Sequence, residues 1–413
     1  MTRSARSYPA LAVDTRSLSD LGPLIPLLDE QQPLLWMRRG FGIAGLGTAA
    51  RFEFSGPDRM ADAAAAWRQI TAAATVADPL ALPGTGLVAL GSFAFSDHSA
   101  ATSVLIVPSI VIGRRAGQSW VTRIGAGELP ALNVPVAPFG PEQPVTLLPG
   151  TLSLDDYRAV VASAIARIRG HELSKVVLAR DLVGRLPDGT DLRRVIAALA
   201  DGYPDCWTFA VDGLIGSSPE TLVSVDNGTV SARVLAGSAA RGTDAESDQD
   251  AAVALAISAK DEDEHEYAVQ SVLAALRDHS TNVTASEVPF TLKLPNLWHL
   301  ASDVEGILTD GSTALDLISA LHPTAAVAGA PTAAALALID ELEPFDRGRY
   351  AGPVGWIGAD GDGEWAIALR CAQVATDGSI TAHAGAGIVA DSVAEHELVE
   401  TRMKFRPILE ALG

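Results

Sequence analysis

Two stretches of this 413-residue chain carry carboxylates at helical spacing. Glu397, Glu400 and Lys404 stand three and four residues apart in a segment, 393–411, that reads as a helix, so all three leave one face. Asp261, Glu264 and His265 do the same in the segment around 260. Paired carboxylates on helix faces supply the oxygen ligands of a hard cation; magnesium commonly takes one or two and keeps waters for an anionic substrate. The same spacing also suits two solvated acidic faces laced by intrahelical ion pairs, and spacing does not separate the two.

Lys175 lies in Ser174-Lys-Val-Val-Leu-Ala179, where apolar residues fall on both faces and a strand buried on both sides is predicted. There it is either a strand-end residue snorkelling to water or a desolvated amine driven toward its neutral form, able to act as a base. Glu220 follows a proline in Ser217-Ser-Pro-Glu-Thr-Leu222. It is either a turn carboxylate or a general acid.

The elements that must position these groups are legible in outline. Up to about Val121 short apolar runs alternate with glycines, as in Leu34-Leu35-Trp36 and Gly86 to Phe95, which predicts strands and turns with one alanine-rich helix over 60–74. Six prolines between residues 123 and 150 exclude a regular element and predict a surface excursion. Ser153 and Asp156 open a helix that Gly170 should stop, and a strand follows over 175–183. Paired strands then alternate with helices near 249–278, 313–321, 331–342 and 393–411. Adjacent strands with helices set apart predict a layered α+β fold. No linker divides two motif sets, so one unit over 1–413 is expected, with a strand-rich part (1–122), the proline-rich excursion (123–150) and a motif-bearing part (151–413).

Composition narrows the classes. With 48% hydrophobic and 19% charged residues the chain is globular rather than disordered. A net charge of -20 opposes general attraction to nucleic acid or anionic membrane. Two distant cysteines, Cys206 and Cys371, make no disulfide framework. Residues 1–9 carry early positive charge without an apolar run, and no long apolar span follows, so a cytoplasmic protein is expected. Gly40-Phe-Gly42-Ile-Ala-Gly45 and Gly385-Ala-Gly387 imitate the dinucleotide fingerprint, but the first runs into a strand and the second lacks a following strand.

Nine segments, in order, resemble the chorismate-utilising enzyme family and most closely its isochorismate synthase branch. They are Ser174 to Arg180, Ser218 to Leu222, Leu235 to Gly242, Lys260 to His265, Leu294 to Leu300, Leu321 to Thr324, Tyr350 to Trp356, Ala368 to Arg370, and Ala384 to Val389 running into Glu397 to Thr401 and Lys404. The resemblance implies a large sheet core flanked by helices, of the anthranilate synthase component I type. It implies a magnesium-dependent isomerase in which Lys175 activates a water attacking ring carbon 2 of chorismate and Glu220 protonates the hydroxyl leaving carbon 4. Glu264 and Glu400 would hold Mg2+, with Asp261 and Glu397 orienting nearby groups. Tyr350, Arg370, Gly385 and Lys404 would bind the substrate's carboxylates, and Gly237, Ser238, His299 and Thr324 would line the ring pocket.

The aminating branches usually have glutamine at the position of Lys175, and one of them has lysine at that of Ala236, so this pair points to water as the nucleophile. Isochorismate synthesis is favoured over salicylate synthesis by Asn296 to Leu300, and a silent chorismate-binding subunit would be expected to lack one of the implied catalytic or metal residues. No glutaminase partner is expected, and a monomer or weak homo-oligomer is. Whether the product feeds menaquinone, siderophore or salicylate synthesis stays open. Ala325, Ala328 and Glu262 depart from the residues usual in the family, the last adding charge beside the implied metal face.

Overall fold

The computed structural model describes residues 8–19, 22–115, 117–132 and 136–413, with the Lys260 side chain also outside the description. The first seven residues and Pro135, on which readings above fall, lie outside it.

Two large sheets form the frame, of thirteen and ten strands among the described residues. Nearly every neighbour is antiparallel, and each sheet draws on both halves of the chain. In the larger sheet Trp207–Val211 pairs with Leu34–Arg38, setting Phe209 opposite Trp36. In the smaller, Pro353–Gly358 pairs with Val88–Ser92. One continuous apolar cluster takes residues from both, including Trp36 and Phe209 from one and Leu90 and Trp365 from the other.

Eight α-helices flank the sheets among the described residues: α1 Arg59–Ala73, α2 Leu154–Arg169, α3 Leu192–Gly202, α4 Ala245–Ala256, α5 Ala259–Leu276, α6 Ala314–Leu321, α7 Thr332–Leu342 and α8 Ala394–Ala411. Helices α3 and α8 pack on the larger sheet, α5 and α6 on the smaller. This is the layered α+β architecture read from the sequence. No described helix is long and apolar enough to cross a membrane.

Local details correct the sequence reading. The helix predicted over 249–278 is two, because Ser258 turns out of α4 and caps α5 with its hydroxyl on the Asp261 amide. Helix α3 was not anticipated; Asp191 caps it. Gly170 does end α2, but at φ -78°, and the left-handed residue is the next one, His171 at φ 61°. Strands intrude on both ends of the proline-rich segment, Gln118–Gly125 and Leu148–Pro149. Pro149 is tolerated there because its two-residue strand ends the sheet, where one missing donor costs little. The first glycine pattern runs into a strand, Ala50–Phe54, as the sequence implied, and Phe41–Leu46, which holds Gly42 and Gly45, is itself a strand.

Candidate active site

Lys175 opens the strand Lys175–Arg185, which has Ser379–Ile388 along one edge and Gly329–Ala330 against its first residues on the other. Enclosed on both sides, the lysine side chain has 0% exposure to bulk solvent, which removes the snorkelling reading. Nor is it the solitary desolvated amine of the other reading. Glu264 Oε1 lies 3.1 Å from Nζ, a close ionic approach although not a well-directed hydrogen bond.

Helix α5 delivers that carboxylate, and His265 fixes the helix. His265 Nδ1 is 3.2 Å from the Ala236 carbonyl and Nε2 is 2.8 Å from Ser302 Oγ. A carbonyl only accepts, so Nδ1 carries the proton and Nε2 accepts from the serine. Burial pushes the imidazole down to about 4, and it is neutral at pH 7. Clamped between two strands of the smaller sheet, it fixes the rotation of α5 and so aims the adjacent Glu264.

Glu220 joins Leu214–Ser218 to Thr221–Asp226 and is 4% exposed, so it is no solvated turn carboxylate. Burial raises its carboxyl to about 8, outweighing a backbone N–H from Leu235 and the positive charges of Lys175, Arg370 and Lys404. At neutral pH it carries a proton.

Strand Thr229–Ala240 bulges at Gly237, where the register with Leu297–Ile307 slips between Ala236 and Ser238. Gly237 has φ +79°, which a glycine adopts without strain, and an added Cβ would stand 3.0 Å from that of Asp261. The bulge brings the Gly237 carbonyl and Ser238 Oγ to 3.1 and 3.0 Å from His299 Nδ1. On the ring's other side Arg370 Nη2 donates to Nε2 at 3.1 Å.

Lys404, on α8, donates to the Gly385 carbonyl at 2.9 Å and to Glu400 Oε1 at 2.5 Å. The Tyr350 ring stacks on His383 at 5.2 Å, and its hydroxyl sits so close that a Cβ on Gly385 would stand 3.2 Å away.

These groups converge on one partly enclosed cleft. Glu220, Gly237, Ser238, Glu264, His299, Tyr350, Arg370, Gly385 and Lys404 all line it. Lys175 stands behind Glu264. Thr324 does not face the cleft directly: its loop contributes Ala326 and Val327, while its own hydroxyl is buried without a hydrogen-bond partner. Asp261 is engaged in capping α5, its carboxylate taking the Ser258 hydroxyl. Glu397 is buried in the first turn of α8. Among the described residues no three His, Cys, Asp or Glu side chains gather into a metal cage. Glu262, the departure that added charge, is solvent-exposed on α5.

Two contributors were missed. His265 was grouped with the carboxylates by spacing, yet it anchors the helix. Gly387 lines the cleft opposite Glu264; its signal was the glycine pair Gly385 and Gly387, two apart on one face of a strand.

Residues 25–125 and 139–413 match the family described as chorismate binding enzyme, and the chain belongs to that family. It is 42% identical over 271 residues to isochorismate synthase DhbC of Bacillus subtilis, covering 63% of this chain and 68% of that one. A putative isochorismate synthase MenF of Mycobacterium tuberculosis is 38% identical over 343 residues, or 80% of this chain and 87% of the relative. The crystal structure of a putative 2,3-dihydroxybenzoate-specific isochorismate synthase, DhbC from Bacillus anthracis, superposes with a TM-score of 0.78 at 30% identity, covering 94% of this chain and 98% of that one.

Proposed function

We propose that the protein is an isochorismate synthase, which adds water to chorismate at ring carbon 2 and releases the hydroxyl of carbon 4. The observation that carries this reading is Glu220, a carboxyl group 4% exposed in a cleft also lined by Arg370 and Lys404, where burial raises it to about 8 and keeps it protonated at neutral pH. A protonated acid beside cations suits an anionic substrate with a hydroxyl to lose.

Chorismate is a dianion, and Arg370 and Lys404 bind its carboxylates together with the Tyr350 hydroxyl and the backbone at Gly385. His299 holds the Arg370 guanidinium, while Gly237, Ser238 and the Thr324 loop shape the ring pocket. Lys175, in its neutral form, takes a proton from the attacking water as the new bond to carbon 2 forms. The ring double bonds shift, the bond from carbon 4 to oxygen breaks, and Glu220 gives its proton to the departing hydroxyl. One water enters and one leaves, so the reaction is an isomerisation.

The cofactor we assign is Mg2+. The available donors are carboxylate oxygens, the ligand type a hard cation prefers, and two of them with substrate and water suffice for magnesium. Glu264 and Glu400 would hold it, with Asp261 and Glu397 nearby; the ion would supply positive charge at the ring carboxylate. Glu264 lies against Lys175, and Glu400 pairs with Lys404. We further assign a cytoplasmic protein acting without a glutaminase, as a monomer or weak homo-oligomer.

The test is to incubate purified protein with chorismate and magnesium and separate the products. Isochorismate as sole product, lost in excess chelator, is expected. Salicylate with pyruvate would reassign the protein as a salicylate synthase, and unchanged chorismate would reject the activity.

A further inference from the structure

We infer that Gly387 is a positioning residue whose missing side chain forms the slot through which Glu264 reaches Lys175. The inference rests on the isochorismate synthase reading for its kinetic consequence, but its structural part stands apart from it.

Strand Ser379–Ile388 lies beside the lysine strand in the larger sheet. Gly385 and Gly387 point to the cleft, while Ala386 between them is fully buried in the apolar core on the other face. A Cβ built on Gly387 would stand 2.2 Å from Glu264 Oε1, 2.9 Å from its carboxyl carbon and 3.3 Å from Lys175 Cε. Gly387 does not need glycine for its backbone, because its φ lies outside the left-handed region. It faces Val177 in an unbroken antiparallel register. What glycine provides here is space, and the space is filled by the ion pair.

The nature of the obstructed atom sets the consequence. The closest atoms to an added methyl belong to the far end of a flexible glutamate and not to backbone. Gly387→Ala should therefore fold, and the group that yields should be the Glu264 carboxylate. Displaced, it leaves Lys175 buried without its counter-charge and alters its own aim into the cleft. The neighbouring glycine differs: a Cβ on Gly385 would meet the Leu178 carbonyl at 2.9 Å, which is backbone.

The test is a double-mutant cycle on the purified full chain with Gly387→Ala, Glu264→Gln and both. Each single variant should show native circular dichroism and a lowered denaturant midpoint. The double variant should be no less stable than the weaker single, because both changes remove the same pair. Independent, additive losses would overturn the inference, as would a Gly387→Ala protein with unchanged midpoint. A second arm measures turnover of chorismate. Gly387→Ala should lose at least about tenfold in kcat/KM, and adding Glu264→Asp, which retracts the carboxylate by one methylene, should recover part of it. No recovery, or a larger loss, counts against the slot. If the wild-type protein leaves chorismate untouched, the activity assignment fails while the stability cycle still decides the role of Gly387.

Discussion

Arg370 Nη2 lies 3.1 Å from His299 Nε2, a contact that only a neutral imidazole can make. A guanidinium only donates, so Nε2 must present its lone pair and Nδ1 its proton, which the Gly237 carbonyl accepts at 3.1 Å. Burial, reinforced by Arg370 and Lys404, holds the imidazole well below its usual range. The histidine is thus a relay of position, passing the backbone bulge at Gly237 to the arginine that would grip the substrate.

His299→Ala frees the guanidinium and is expected to raise KM for chorismate about tenfold or more, with a smaller change in kcat. That range follows from about 1.5–3 kcal/mol for a hydrogen bond to a charged group. Steady-state kinetics check it; a fall in kcat at unchanged KM would place the ring in the chemistry instead.

Glu220→Gln should lower turnover at least ~100-fold, since an amide fills the same space without a proton to give. Wild-type turnover should fall as pH rises through about 8, where Glu220 loses its proton. Stability follows the same group. Its folded pKa lies above the unfolded value near 4.5, so its contribution is present at low pH and declines as pH rises toward 8. At pH 8.5 the glutamine variant should therefore be the more stable of the two by ~2–4 kcal/mol, a difference that vanishes below pH 4. Denaturant titrations at both pH values, with a pH–rate profile, test the pair of claims.

Lys175→Ala should reduce turnover by at least ~100-fold while chorismate still binds, because Arg370 and Lys404 supply the carboxylate contacts. Equilibrium binding measured beside turnover separates the two. A folded alanine variant with near wild-type turnover would move the base elsewhere.

We propose that the chain is a single folding unit, because both sheets are closed by pairings between its N-terminal and C-terminal parts. One cooperative transition is expected in calorimetry, and residues 151–413 alone should not fold; two separate transitions would contradict this. The melting temperature should also fall with acid. His265, His322 and His383 are held down to about 4 by burial, against about 6.5 unfolded. Folded pKa values below the unfolded ones mean that this stability is present above pH 6.5 and lost as pH falls toward 4. A flat melting temperature from pH 7 to 4.5 would remove these histidines from the account.

The sequence by itself determined the layered class, most helices and most of the groups around the cleft. Those are local properties: apolar periodicity marks strands and helices, and ordered motifs carry a family's chemistry. Helix 3–4 spacing correctly put Glu264 and His265 on one turn, but could not say that one would meet Lys175 and the other clamp the helix to Ala236 and Ser302. Which partner an ionisable side chain finds depends on residues far away in the chain, 89 positions between Lys175 and Glu264. Only the tertiary structure decided that Glu220 is protonated, that Lys175 has a carboxylate beside it, and that Gly387 is room for that carboxylate. Charge state follows from the depth of burial and the charges that converge there, and burial exists only once the sheets have closed over the cleft.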